Sequence, residues 1–201
     1  MKIGIYDPYL HILGGAEKYV FTIADCFGPA ANVTVYAADP RVLTLAENKF
    51  GIKLPTARIA PWPESSRERD RELKDMDFFF YVTDGSIFRS VAKMNILIIQ
   101  TPLHIPAYSL ANWWKLRTWR HIICYSRFIA NIIKGKLGRD AKVLFVPIKK
   151  IPPRDFLKKE NTIVSVGRFF PHLHNKKQLE MVDMFARFVD IGIKGVKLYL
   201  V

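Results

Sequence analysis

Residues 2–17, KIGIYDPYLHILGGAE, decide the fold. Residues 2–6 are a short β-rich run. Residues 7–13 contain Pro8 and read as a loop. Gly14-Gly15 then opens a helical pattern that runs to Phe27, with Tyr19, Val20, Ile23, Ala24 and Phe27 on one stripe, and Gly28-Pro29 stops it. Strand, glycine turn and helix together form the opening unit of a parallel α/β sheet.

The same alternation continues along the chain. Residues 32–37 read as a strand, 40–48 as a helix, 57–60 as a short strand and 64–74 as a charged helix with a thin apolar face. Residues 77–82 and 95–100 are continuous apolar runs, as strands buried on both faces require. A helix over 112–119, a strand over 121–125, a helix over 126–136 and a strand over 142–146 follow. The pattern predicts an α/β fold with a Rossmann-like, doubly wound, mostly parallel sheet. Ligands of such sheets bind at the carboxyl ends of the strands, so the loops after Tyr6, Val82, Gln100 and Tyr125 are expected to carry function.

Pro147, Pro152 and Pro153, spaced among lysines, break the pattern and mark a linker. The predicted division is a first domain over residues 1–150, a linker over 151–160 and a second unit over 161–201. In that unit residues 162–167 and 196–201 read as strands and 175–190 as a helix. A lone βαβ unit leaves sheet edges and apolar faces uncovered, so the second domain is expected to be incomplete.

The 201 residues are 50% hydrophobic and 24% charged, enough apolar content for a sizeable core and too much for disorder. Lys and Arg total 31 against 18 Asp and Glu, a net charge of +13. Such a surface attracts nucleic acid, anionic lipid or phosphorylated substrates. Cys26 and Cys124 are far apart, match no metal-ligand spacing and read as buried thiols in a reducing compartment. The N-terminus enters the first strand directly, so no leader is expected, and the apolar runs fall far short of the about 20 residues that span a bilayer. The expected location is cytoplasmic, with any membrane contact peripheral at the cytoplasmic face.

Three constellations bear chemistry. Gly14-Gly15-Ala16-Glu17 places glycines at a helix N-terminus, where free N–H groups and the helix dipole suit a phosphate; a plain tight turn would look the same. It is not a dinucleotide fingerprint, because a loop intervenes between strand and glycines. Val166-Gly167-Arg168-Phe169-Phe170, followed by Asn175-Lys176-Lys177-Gln178, concentrates positive charge where a strand ends and a helix begins. Arg168 and Lys176, with Lys177 as a further candidate, are suited to a diphosphate, and a solvated basic loop is the competing reading. His172 and His174 have no carboxylate or cysteine nearby, so no metal is expected. Residues 107–120 interleave Trp113, Trp114 and Trp119 with Lys115, Arg117 and Arg120. Tryptophan flanked by bases is how surface helices hold anionic bilayers, while ordinary packing would put the tryptophans inside.

Taken in order, the GGAE helix start, Tyr125-Ser126-Arg127-Phe128 before a helix, the proline-rich hinge and the segment from Ser165 to Lys176 resemble the family 4 glycosyltransferases of GT-B fold. The resemblance covers essentially the whole chain. It implies retaining transfer of a sugar from a nucleotide-sugar donor to a glycan or lipid-linked acceptor, without a metal or other cofactor, between two Rossmann-like domains. Gly14 and Gly15 would supply backbone contacts near the donor phosphates or acceptor, and Arg168 and Lys176 would hold the donor diphosphate. Glu17 falls in the family's GGxE pattern and could equally complement the helix N-terminus. Many members carry a histidine where this chain has Gln100. The nearest histidine, His104, reads rather as an exposed loop residue, so Gln100 and His104 are the only catalytic candidates and no general base is assigned. The family's paired-glutamate motif would lie beyond Val201, which implies that this chain alone lacks most of the donor site and is inactive as it stands. The rival class is a basic nucleic-acid-binding or non-catalytic module on an α/β scaffold. No RNA- or DNA-binding motif supports it, and nucleic acid is not the expected partner.

Overall fold

The computed structural model describes residues 1–148, 159–167, 169 and 176–201. The chain divides into two compact units, Met1–Ile148 and Lys149–Val201. The first holds strands β1 (Lys2–Tyr6), β2 (Asn32–Tyr36), β3 (Ala57–Ala60), β4 (Phe78–Val82), β5 (Met94–Ile99), β6 (His121–Cys124) and β7 (Lys142–Val143). All pair in parallel, in the order β3-β2-β1-β4-β5-β6-β7. Helices α1 (Gly15–Phe27), α2 (Val42–Phe50), α3 (Ser66–Leu73), α4 (Leu110–Leu116) and α5 (Arg127–Leu137) connect them. This is the Rossmann-like α/β architecture that the alternating pattern predicts.

The sheet is covered on both faces because its inner strands are apolar at most positions, with Thr34 and Asn95 among the few buried polar residues. Along β4 and β5, Phe80, Val82, Ile96 and Ile98 face one core with Tyr19, Val20 and Ala24 of α1 and Ala46 of α2. Their neighbours Phe79, Tyr81, Leu97 and Ile99 face the other, with Leu73 of α3, Leu116 of α4 and Ile129 and Ile133 of α5. The period of two along a strand sends alternate residues to opposite layers. In β1 the residue facing the second layer is Gly4. A Cβ there would lie 2.9 Å from the Phe79 ring and 3.4 Å from Tyr36, so the aromatic layer closes directly over the bare backbone.

Several local features differ from the sequence reading. Helix α4 starts at Leu110, two residues early, because the Ser109 hydroxyl accepts the Asn112 N–H at 3.1 Å. It also stops at Leu116, where Thr118 turns its hydroxyl back onto the Lys115 carbonyl at 2.7 Å. The early stop lets Trp119 swing inward. Trp119 is fully buried, its indole N–H donates to the Phe88 carbonyl at 2.9 Å, and it packs on Phe79, Tyr81 and Phe88. Trp119 is therefore a core residue and not a membrane-facing one. Trp113 and Trp114 are exposed. Cys26, expected to be buried, is exposed on α1, whereas Cys124 is buried, and both are free thiols.

In the second unit β8 (Thr162–Ser165) and β9 (Lys197–Leu200) pair in parallel and are joined through α6 (Gln178–Asp190). No residue of α6 is buried. Met181, Met184, Phe185 and Phe188 line an open groove of about 460 Å³ with Ile163 and Val164. Most of the expected linker, together with Arg168, His172, His174 and Asn175, lies outside the described residues.

Two glycines test the packing. Gly4→Ala forces the Phe79 ring to shift and is expected to cost about 1–3 kcal/mol, the usual penalty of overpacking. Gly15→Ala, with nothing within 4 Å of the new methyl, is expected to leave stability intact or raise it by up to about 1 kcal/mol. Urea unfolding midpoints of the two variants check the contrast, and equal midpoints would contradict it.

Candidate functional site

Strand order turns at β1. Successive strands run outward to β3 on one side, and the chain then crosses to β4 on the other. At such a switch in strand order the loops at the carboxyl ends of the strands part, and sheets of this kind bind ligands there.

The β1 loop begins with Asp7. Its side chain is only 3% exposed. Oδ1 accepts the Tyr9 N–H at 2.8 Å, and Oδ2 has no partner. Burial pushes the Asp7 carboxyl up to about 7, against the pull of the Tyr9 hydrogen bond, and the nearby Glu17 and Asp84 charges push the same way. Asp7 also borders a cleft of about 480 Å³ lined by Tyr6, Pro8, Tyr36 and Trp62, a size that suits a small-molecule ligand.

The β4 loop carries Asp84, which behaves oppositely. Burial favours its neutral form, but hydrogen bonds from Ser86 and Tyr81 outweigh that and hold it below the ordinary carboxylate value. Two carboxyls near one crevice thus titrate apart, the arrangement that lets one exchange protons near neutrality while the other stays ionised. The β4 loop touches the β5 loop, since a Cβ on Gly85 would lie 3.7 Å from the Leu103 carbonyl oxygen and 3.9 Å from the His104 Cα.

Beyond β5 and β6 stand Gln100, His104 and Tyr125. Gln100 Nε2, His104 Nδ1 and Tyr125 Oη are buried and, like Asp7 Oδ2, have no hydrogen-bond partner within the protein. Gln100 is close enough to favour the ionised form of the Tyr125 hydroxyl, yet neither group makes a bond of good geometry. The Tyr125 hydroxyl is pushed up first by burial and then by Tyr19 and Asp7. Its ring meets the Tyr19 ring edge-on at 4.5 Å, and Tyr19 donates to the Leu144 carbonyl at 3.1 Å. His104 differs from the exposed loop histidine that the sequence suggests. It is half-buried, its backbone N–H is tied to the Thr101 carbonyl, and its ring stacks on Tyr9. Ser126, inside the quoted Tyr-Ser-Arg-Phe motif, is a helix cap whose hydroxyl accepts the Ile129 N–H at 3.3 Å.

The glycine motif is arranged differently from a plain anion cradle. Glu17 is buried, and its carboxylate accepts the Gly14 N–H, so that N–H is occupied by the helix's own acid. Gly15 has open space above it. In the second unit Lys176 folds over the end of β8, where a Cβ on Gly167 would meet its side chain at 2.9 Å. Lys177 stands at the N-cap of α6 with a positive φ of 59°. Arg117 and Arg120 are exposed with Trp113 and Trp114 around α4, and Lys115 is half-buried. Among the described residues no group of three or more His, Cys, Asp or Glu is placed to hold a metal, and no helix is long and apolar enough to cross a membrane. Sequence reasoning missed Asp7 and Tyr125. The available signal was a carboxylate directly after the first strand and a tyrosine directly after β6, both at loops already expected to carry function.

No protein-family model matches the chain, and no curated protein matches it. The site therefore rests on its own geometry.

The raised Asp7 carboxyl has a consequence for stability. It binds its proton more tightly folded than unfolded, so its contribution is complete below pH about 4 and is lost as pH rises to about 7, by at most about 1.4 kcal/mol per pH unit. Asp7→Asn mimics the protonated form. Thermal unfolding of the variant is expected to match the wild type near pH 3.5 and to exceed it by several degrees near pH 8, given about 2–4 °C per kcal/mol for a unit of about 150 residues. A constant difference across that range would contradict the assignment.

Proposed function

We propose that this chain is the acceptor-side domain, with the start of the donor domain, of a nucleotide-sugar-dependent retaining glycosyltransferase of family 4 type. The observation that carries this reading is that Asp7 Oδ2, Gln100 Nε2, His104 Nδ1 and Tyr125 Oη, shielded and without partners, stand at or just beyond the carboxyl ends of β1, β5 and β6. Leaving such atoms unpaired costs stability, about 1–3 kcal/mol each, and is tolerated where a ligand pairs them. A carboxyl, an amide, an imidazole and a phenol offer donors and acceptors together. Hydroxyl groups, which donate and accept at once, satisfy all four, and a sugar or polyol carries several on one small frame.

In this reading the crevice holds the acceptor. Gln100 orients a hydroxyl without titrating, and Asp7, the group with a carboxyl poised near neutrality, is the one able to exchange a proton with it. Lys176, at the end of β8, and Arg168 after it are the residues that would hold the donor diphosphate as negative charge develops on it. The ordered motifs of the sequence support the same class. The work of the protein lies in positioning and electrostatics, with the nucleotide sugar as substrate and not as a resident cofactor.

Saturation-transfer NMR with a panel of mono- and disaccharides and of uridine- and guanosine-diphosphate sugars tests the reading. At least one sugar is expected to bind, and Gln100→Leu or Tyr125→Phe, which keep the shape, are each expected to weaken it by about tenfold, the equivalent of one hydrogen bond. Lys176→Ala is expected to spare that binding and to weaken the diphosphate. Binding of a nicotinamide or flavin nucleotide in the same crevice, with no sugar bound, would overturn the assignment.

A further inference from the structure

From Gly85 to Arg139 the chain contains no Asp or Glu and nine Lys or Arg. Arg89, Lys93 and Lys134 pair with Asp70, Asp77 and Asp140 outside the segment, and the remaining six cations lie in or beside the elements from β5 through α5 as an excess of positive charge. Charge of this kind attracts any polyanion.

The apolar residues around α4 narrow the choice. Tyr108, Leu110 and Trp114 are 79%, 74% and 59% exposed, and Trp113 is 42% exposed. Of the helix itself only Leu116 is buried. A helix that only covers a sheet buries its large apolar residues, whereas α4 turns most of them outward. The two indoles meet edge to face at 5.4 Å, and the Arg117 guanidinium lies 5.1 Å and 5.2 Å from their ring centres. Arg117 and Arg120 are exposed, and none of Lys115, Arg117 and Arg120 takes part in an ion pair among the described residues. Side chains that hold large apolar area in water, rimmed by cations without counter-charges, match an interface between hydrocarbon and anionic headgroups.

We infer that the face formed by Tyr108, Leu110, Trp113 and Trp114, with Lys115, Arg117 and Arg120 at its rim, docks on an anionic lipid surface. The apolar side chains enter the headgroup boundary and the bases stay among the phosphates, a peripheral attachment of the kind that amphipathic surface elements make. A polynucleotide fits less well. Leu110 has neither a ring to stack on a base nor a hydrogen-bonding group, and Arg117 already covers both indoles. The inference does not depend on what the crevice binds.

Co-sedimentation with phosphatidylcholine vesicles, with and without phosphatidylglycerol, tests it on the whole chain. Binding is expected only to the phosphatidylglycerol vesicles, to weaken as salt rises, and to shift tryptophan emission to the blue. A Trp113→Ala/Trp114→Ala variant is expected to bind about tenfold more weakly with the urea unfolding midpoint preserved, and Arg117→Gln/Arg120→Gln to lose binding at moderate salt. Leu110→Ser, at a site exposed enough to leave folding untouched, gives an independent loss. Unchanged vesicle binding by the tryptophan and Leu110 variants would overturn the inference. So would tighter binding of a short single-stranded RNA than of the vesicles at equal salt, or a concentration-dependent dimer that these variants dissolve.

Discussion

The parallel pairing of β1 with β2 on one side and β4 on the other is the constraint on which the rest of the large unit depends. Parallel neighbours must be joined by crossovers, and crossovers in such sheets share one hand. With β1 third in the seven-strand order, the chain builds outward to β3 and then returns to start again at β4. The loops leaving β1 and β4 are thereby driven apart. The absence of a side chain at Gly4 matters to the same centre, because it lets the Phe79 ring close over β1 and anchors an aromatic layer that includes Tyr36, Trp62, Phe88 and Trp119.

The crevice and the core obey opposite rules. Within the core the Asn95 side chain donates to the Ala92 and Thr118 carbonyls at 3.0 and 3.1 Å and meets the Ser90 hydroxyl, and the Trp119 indole has its carbonyl, although Arg69 Nε and Thr162 Oγ1 are shielded and unpaired elsewhere. At the carboxyl ends of the strands, one polar atom on each of four side chains, Asp7, Gln100, His104 and Tyr125, is shielded and unpaired. A folded chain removes such costs wherever side chains are free to choose partners. Asp7, Gln100, His104 and Tyr125 are held by strand ends and loop turns whose directions the sheet dictates. That contrast separates a binding surface from a structural network more clearly than any one residue does.

The aromatic residues near α4 show how a short stretch divides between two roles. Trp119 lies three residues past the helix end and turns into the layer beneath the sheet; Trp113 and Trp114 stay outside. The Ser109 cap and the Thr118 turn fix both ends of α4 and so decide which indoles can reach the core.

The amino-acid sequence by itself determined the alternation of strands and helices, the buried character of β4 and β5, and the loops that matter. These follow from local periodicity, which every segment carries within itself. It also marked Gln100 and His104, because a strand end is recognisable from its apolar run. Tertiary structure alone decided the rest. Asp7 looks like any loop aspartate until burial and the neighbouring carboxylates raise it, and Tyr125 looks like part of a helix-start motif until Gln100 and Tyr19 surround it. Trp119 is indistinguishable from Trp114 along the chain, and Glu17 from any acid in a first helical turn. Each of these assignments depends on what stands opposite a side chain across strands far apart in sequence, and no local pattern encodes that.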